Sequence, residues 1–207
     1  MIRATAVALA LFATPALAQD NLFRPVHTFS IVARDAETGE IGVAVQSHWF
    51  SVGSAVPWAA PGVGAVATQS FTDPRYGPQA LYLMGEGRSA PEAMTALLAA
   101  DEHTDVRQVA MIDARGNVAT HTGEHAIREF CHLSGEGYSV QANLMGPPTV
   151  CAAMQHDYTS AEGDLAARMM AALVAAQGEG GDIRGQQSAA LLVVSGDASL
   201  PAWGGRV

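Results

Sequence analysis

The stretch from His27 to Trp49, HTFSIVARDAETGEIGVAVQSHW, limits the possible folds more than any other part of the chain. From Thr28 onward the side chains alternate, with Phe29, Ile31 and Ala33 on one face and Ser30, Val32 and Arg34 on the other. A period of two marks a strand, because successive side chains of an extended backbone point to opposite sides. The alternation stops at Asp35, and Asp35 to Gly39 contributes Asp, Thr and Gly for a turn. Ile41 to Val45 then resumes as a nearly continuous apolar run, which suits a strand covered on both faces. The stretch predicts a hairpin with Thr28 at its head.

The remaining elements follow from period and punctuation. Val63 to Thr68 reads as another buried strand, followed by helices over Tyr76 to Gly85 and Ser89 to Ala100. Ser89 with Glu92 forms a capping box, Pro91 sits in the first turn, and Met94, Leu97 and Leu98 make the apolar stripe. Arg107 to Asp113 and Val118 to Thr122 flank the turn Ala114-Arg115-Gly116-Asn117 as a second hairpin. Tyr138 to Leu144 is a further strand, and Pro147-Pro148-Thr149 starts a helix through about Tyr158. Asp164 to Gln177 predicts a long helix with Leu165, Met169, Leu173 and Val174 inward, and Ser188 to Val194 is the last strand. Strands and helix pairs thus come in groups rather than strict alternation, which predicts an α+β fold.

The first residues have a different character. Met1-Ile2-Arg3 is a short basic start, Ala4 to Ala13 is too short to span a bilayer, and Ala16-Leu17-Ala18 offers small residues for a signal peptidase. Residues 1–18 are therefore expected to be a signal peptide, 19–27 a connector or propeptide without a core pattern, and 28–207 a single domain. The expected location is periplasmic or secreted. With 49% hydrophobic and 15% charged residues the domain is globular. In an oxidising compartment the only two cysteines, Cys131 and Cys151, can form a disulfide, but the sequence does not bring them within reach of one another.

All 11 basic residues are arginines. The absence of lysine excludes a serine-lysine dyad, a Schiff-base enzyme and a P-loop, each of which needs an ammonium. A net charge of −9 with scattered arginines argues against nucleic acid as a partner. Gly62, Gly64 and Ala67 match a dinucleotide fingerprint, but they lie in a strand-like run instead of opening a helix. No G-x-S-x-G elbow occurs, and His121 and His125 flank Gly123 in a turn context that denies them the shared helical face of a zinc pair. No metal or cofactor is implied. Ser47 with His48 is a weak hydrolytic pair, since adjacent strand residues face opposite ways. What remains is Thr28: a threonine made N-terminal by cleavage carries its own base, an α-amino group with a pKa near ~8.

Five segments resemble one family. TFSIVARDAETGEIGVAVQS (28–47), VPWAAPGVGAVATQS (56–70), DPRYGPQAL (73–81), GEGYSVQANLMGP (135–147) and GGDIRGQQSAALLVV (180–194) are similar, in this order, to domain of unknown function 1028, grouped with the N-terminal-nucleophile hydrolases. The resemblance implies a four-layer αββα sandwich of antiparallel sheets with Thr28 as nucleophile. It places Ser47 beside Thr28, Asn143 where oxyanion-hole donors often sit, and Ser188 in a segment that supports the amino terminus, although Gly185 stands where proteasomes have an aspartate. Gln46, His48, Arg75 and Gln187 are the substrate-binding candidates it suggests. Leader removal leaves Gln19 first, so the threonine mechanism requires a second cut between His27 and Thr28. Family members continue past the counterpart of Gly204-Gly205 into another strand and a helix, so a shortened C-terminus with one unprotected sheet edge is expected, and with it a homo-oligomer. The implied activity is that of an exported amidohydrolase acting on a small-molecule amide or peptide-like substrate. The alternative is a catalytically silent envelope protein of the same fold that binds a ligand or wall fragment.

Overall fold

The computed structural model describes residues 25–26 and 28–201. The expected signal peptide, most of the connector and the Gly204-Gly205 pair lie outside the described residues. In chain order the elements are β1 (Pro25–Val26), β2 (Thr28–Arg34), β3 (Ile41–Ser47), β4 (Pro57–Ala60), β5 (Gly64–Phe71), α1 (Tyr76–Gly85), α2 (Ala90–Ala100), β6 (Arg107–Asp113), β7 (Val118–Thr122), β8 (Cys131–Gly135), β9 (Tyr138–Ala142), α3 (Val150–Ser160), α4 (Leu165–Gly178) and β10 (Ser188–Val194).

The strands form two antiparallel sheets. One runs β10-β3-β2-β9-β8. In the other, β5 pairs with β6 and β6 with β7, while β4 and the short β1 share the opposite edge of β5. The predicted hairpin holds its register from Thr28 opposite Ser47 to Arg34 opposite Ile41. Its alternation divides the side chains between two cores. Phe29, Ile31 and Ala33 pack with Met154, Met169 and Leu173 of α3 and α4, whereas Val32, Val43 and Val45 pack with Ala65, Ala67 and Ile112 of the second sheet. A third core joins that sheet to Ala80, Met84, Met94 and Leu97 of α1 and α2. The layers are therefore helix pair, sheet, sheet and helix pair, an α+β sandwich. Fully burying a side chain such as Phe29 or Ile31 contributes about 1.5–3 kcal/mol each.

Local signals fix the helix starts. The Ser89 hydroxyl accepts from Glu92 N while the Glu92 carboxylate accepts from Ser89 N at 2.7 Å, so the capping box closes as the sequence predicts. Asp164 caps α4 by accepting from Ala167 N at 2.9 Å. Tertiary packing changes other expectations. Val174 is 62% exposed rather than inward, because Leu165, Met169 and Leu173 already fill the face that α4 turns to the sheet. Pro25–Val26 at the end of the connector is a strand, paired with Ser70 and Phe71. Strands β4 and β8 were not expected; each is short and takes its order from the longer strand beside it. Among the described residues, β10 is the last strand at one side of its sheet.

Cys131 of β8 and Cys151 of α3 are joined by a disulfide with a Cα–Cα distance of 6.1 Å. Distant in sequence, they meet because α3 packs on β8 and β9. A link closing a loop of this length restricts the unfolded chain by about 3 kcal/mol. Replacing both cysteines by alanine is expected to lower unfolding stability by about that amount, read as a lower urea midpoint with a steeper slope, because the unfolded chain without the link exposes more surface.

Asp113 ties the β6–β7 turn to α2. Its carboxylate accepts from Ala90 N (3.0 Å), Arg115 N (2.9 Å), Asn117 N (3.1 Å) and Asn117 Nδ2 (2.9 Å). Burial disfavours its charge, but the Asn117 side chain and these backbone donors outweigh that and hold its pKa below the ordinary carboxylate value. With the folded pKa below the unfolded one, the stabilisation is complete above about pH 4 and is lost as pH falls through the folded value. Equilibrium unfolding followed between pH 6 and pH 2 is expected to show this decline, and Asp113→Asn is expected to flatten it.

A polar layer around Thr28

Thr28 opens β2, the middle strand of its sheet, and is fully buried. Its hydroxyl donates to Ser47 Oγ at 3.2 Å across the β2–β3 register. Its carbonyl accepts from Asn143 N at 3.0 Å and from Gln69 Nε2 at 3.3 Å, so groups from β5 and from the end of β9 hold it from two directions. Immediately after these two residues the backbone is left-handed at Ser70 (φ 67°) and Leu144 (φ 57°), a region that side-chain-bearing residues seldom adopt.

Between the sheets, this end of the sandwich is built of carboxamides and hydroxyls. Gln69 Nε2 also donates to Gln108 Oε1 at 2.8 Å, and Asn143 Nδ2 donates to the same oxygen at 3.0 Å. Gln108 Nε2 is shared among Ala142 O (3.1 Å), Thr122 Oγ1 (3.1 Å) and Cys131 O (3.2 Å). Ser30 donates to Gln69 Oε1 and accepts from Gln141 Nε2, both at 2.6 Å, and Ser139 donates to Gln141 Oε1 at 3.0 Å. Gln69, Gln108, Gln141 and Asn143 are all fully buried. Such a layer positions backbone and side chains with high definition, because each unpaired group would be costly in a low-dielectric interior. It is also neutral. Among the described residues, no titratable side chain hydrogen-bonds to Thr28.

The other predicted site residues are spread over the same end of the molecule. Ser188 faces Ser47 across the β10–β3 register, but its hydroxyl donates to Trp49 O at 2.6 Å and accepts from Val52 N at 3.0 Å, so it secures the turn that follows β3. His48 N donates to Asp182 Oδ2 at 3.1 Å. Asp182 is a buried carboxylate whose pKa lies below the usual value: burial opposes its charge, and Arg184 at 2.6 Å together with the backbone N–H groups of Arg184 and His48 prevails. The carboxylate of this segment thus comes from Asp182, before Gly185. Gln187 is exposed. Gln46 points to the face of β3 opposite Ser47, toward α4. Arg75 belongs to the β5–α1 connection, where its 71% exposed side chain pairs with Asp73 at 2.6 Å. Thr28, Ser47 and Asn143 are therefore in direct contact, and Arg75 is held elsewhere. Asn143 directs its N–H to Thr28 O and one of its two Nδ2 hydrogens to Gln108 Oε1.

Sequence reasoning missed Gln69, Gln108 and Gln141. The visible sign was a glutamine inside each strand-like run, VATQS, RQVAMID and YSVQA.

Residues 28–206 match the model of a family of unknown function, DUF1028. Among solved structures, the chain is similar to the crystal structure of protein SPO2555 from Silicibacter pomeroyi, itself a DUF1028 protein. The TM-score is 0.76 at 30% identity, covering 82% of this chain and 74% of that one. No curated protein matches the chain.

Proposed function

We propose that this chain, which belongs to the DUF1028 family, is an exported hydrolase of N-terminal-nucleophile type that opens small amide or peptide-like bonds with Thr28. One observation carries this reading: Thr28 is held by hydroxyl and carbonyl at the head of a central strand, and no titratable side chain among the described residues hydrogen-bonds to it. The nearest base its hydroxyl can gain is its own α-amino group, released by cutting the His27–Thr28 bond. The family match begins at residue 28, which supports the same boundary. The disulfide supports an oxidising compartment.

The chemistry has two stages. In the first, Thr28 Oγ attacks the His27 carbonyl, the peptide nitrogen leaves as the new α-amino group, and water hydrolyses the resulting ester to free a His27 carboxylate. In the second, that amine takes the hydroxyl proton as Thr28 Oγ attacks the substrate carbonyl. The proton passes to the departing amine, and water releases the acid and restores the threonine. Since only the unprotonated amine is a base, the rate is expected to rise through about pH 7–8.

Intact mass and N-terminal sequencing of the exported protein, with hydrolysis of a panel of N-acyl amides and peptide amides, test the proposal. The expected product begins at Thr28 and hydrolyses members of the panel. An active chain beginning at Gln19 would exclude the mechanism. The complete burial of Thr28 favours a second reading, a silent binding protein, and a chain that stays uncut and inactive would select it.

A further inference from the structure

On the other face of the Thr28 sheet, a groove of about 370 Å³ runs between α4 and β10. Its walls include Phe29, Leu173, Val174 and Leu191, and none of the described residues that line it is ionisable. Gln46 lines it, a residue only 9% exposed whose buried Oε1 and Nε2 both have no hydrogen-bond partner among the described residues. Gln177 also lines the groove, and its Oε1 is likewise buried without a partner. Interiors rarely leave such groups unpaired, and an unpaired buried polar group is a reason to look for what it binds.

We propose that this groove binds a small neutral amide carrying an apolar group. A carboxamide presents one donor edge and one acceptor edge side by side, and Gln46 offers both. An amide ligand satisfies them together, its N–H donating to Oε1 and its carbonyl accepting from Nε2, while Gln177 Oε1 takes a second N–H. The apolar walls receive the ligand's side chain. A carboxylate or ammonium ligand would lose water without meeting an opposite charge, so the lining selects against charged relatives of the same shape. The site is independent of Thr28 chemistry, because Gln46 and Phe29 face away from Ser47 and Thr28.

The test is calorimetric titration of the full chain with N-acetyl-leucinamide, repeated in a Thr28→Ala background to separate binding from turnover. Saturable binding is expected in both, at least tenfold weaker for N-acetyl-leucine, whose carboxylate replaces the amide. Gln46→Met, which keeps the bulk and removes both polar atoms, is expected to weaken binding at least tenfold while the thermal midpoint holds or rises. Val174→Arg, at an exposed wall position, is expected to do the same without unfolding the protein. Absence of saturable binding, or unchanged affinity in Gln46→Met, would overturn the proposal. So would a fall in oligomeric state on Val174→Arg, since the groove would then be an interface between copies.

Discussion

Thr28→Ala is expected to leave the His27–Thr28 bond intact and to reduce amide hydrolysis on the order of 10⁴-fold or more, the scale seen when a hydrolase loses its nucleophile. Alanine keeps the backbone N–H and carbonyl, so the bonds from Asn143 N and Gln69 to the Thr28 carbonyl survive, and only the hydroxyl bonded to Ser47 disappears. Folding is therefore not the reason for the loss, and circular dichroism and the thermal midpoint are expected to change little. Thr28→Ser keeps the hydroxyl and is expected to retain both cutting and turnover. Equal hydrolysis by Thr28→Ala and wild type would remove Thr28 from the chemistry. A chain that is cut normally yet inactive as alanine would confine its role to the second stage.

Gln108→Leu is expected to have the largest effect on stability, a loss of about 3–5 kcal/mol measured by urea unfolding. Leucine is of similar size and would not leave a large void. It would, however, strand the amide donors of Gln69 and Asn143 that converge on Gln108 Oε1, together with the Ala142 and Cys131 carbonyls that Nε2 serves. Those groups belong to both sheets, so the penalty falls on the interface between them. Because Gln69 and Asn143 also hold Thr28, the variant is expected to slow cutting of the His27–Thr28 bond even where it remains folded. A double substitution, Gln108→Leu with Gln69→Leu, removes one stranded donor and is expected to cost less than the sum of the single changes. A strictly additive pair would mean that the two carboxamides act independently.

Much of the fold was legible because period and capping are local. Seven-residue strands such as Thr28–Arg34 and Arg107–Asp113 show their alternation or apolar continuity in the sequence, and Ser89 with Glu92 marks a helix start regardless of what the helix later touches. Strands β1, β4 and β8 left no such mark. Two to five residues carry too little pattern, and each is ordered by a neighbour far away in sequence. Val174 shows the limit from the other side: its period fits an inward position, but the width of the buried face of α4 depends on what packs against it.

For the site, the sequence alone determined that no lysine is available and singled out Thr28 at the head of a strand, because composition and position are properties of the chain itself. The tertiary structure decided what surrounds it. Glutamines at positions 69, 108 and 141 lie on three strands from two sheets, and only the stacking of those sheets turns three isolated polar residues into one hydrogen-bonded layer. Strand pairing within the Thr28 sheet placed Ser47 and Asn143 against Thr28, and the packing of α3 on that sheet joined Cys131 to Cys151. These are contacts between residues distant in sequence. Their partners are set by the sheet register and the packing of layers, and no local pattern in the chain encodes either.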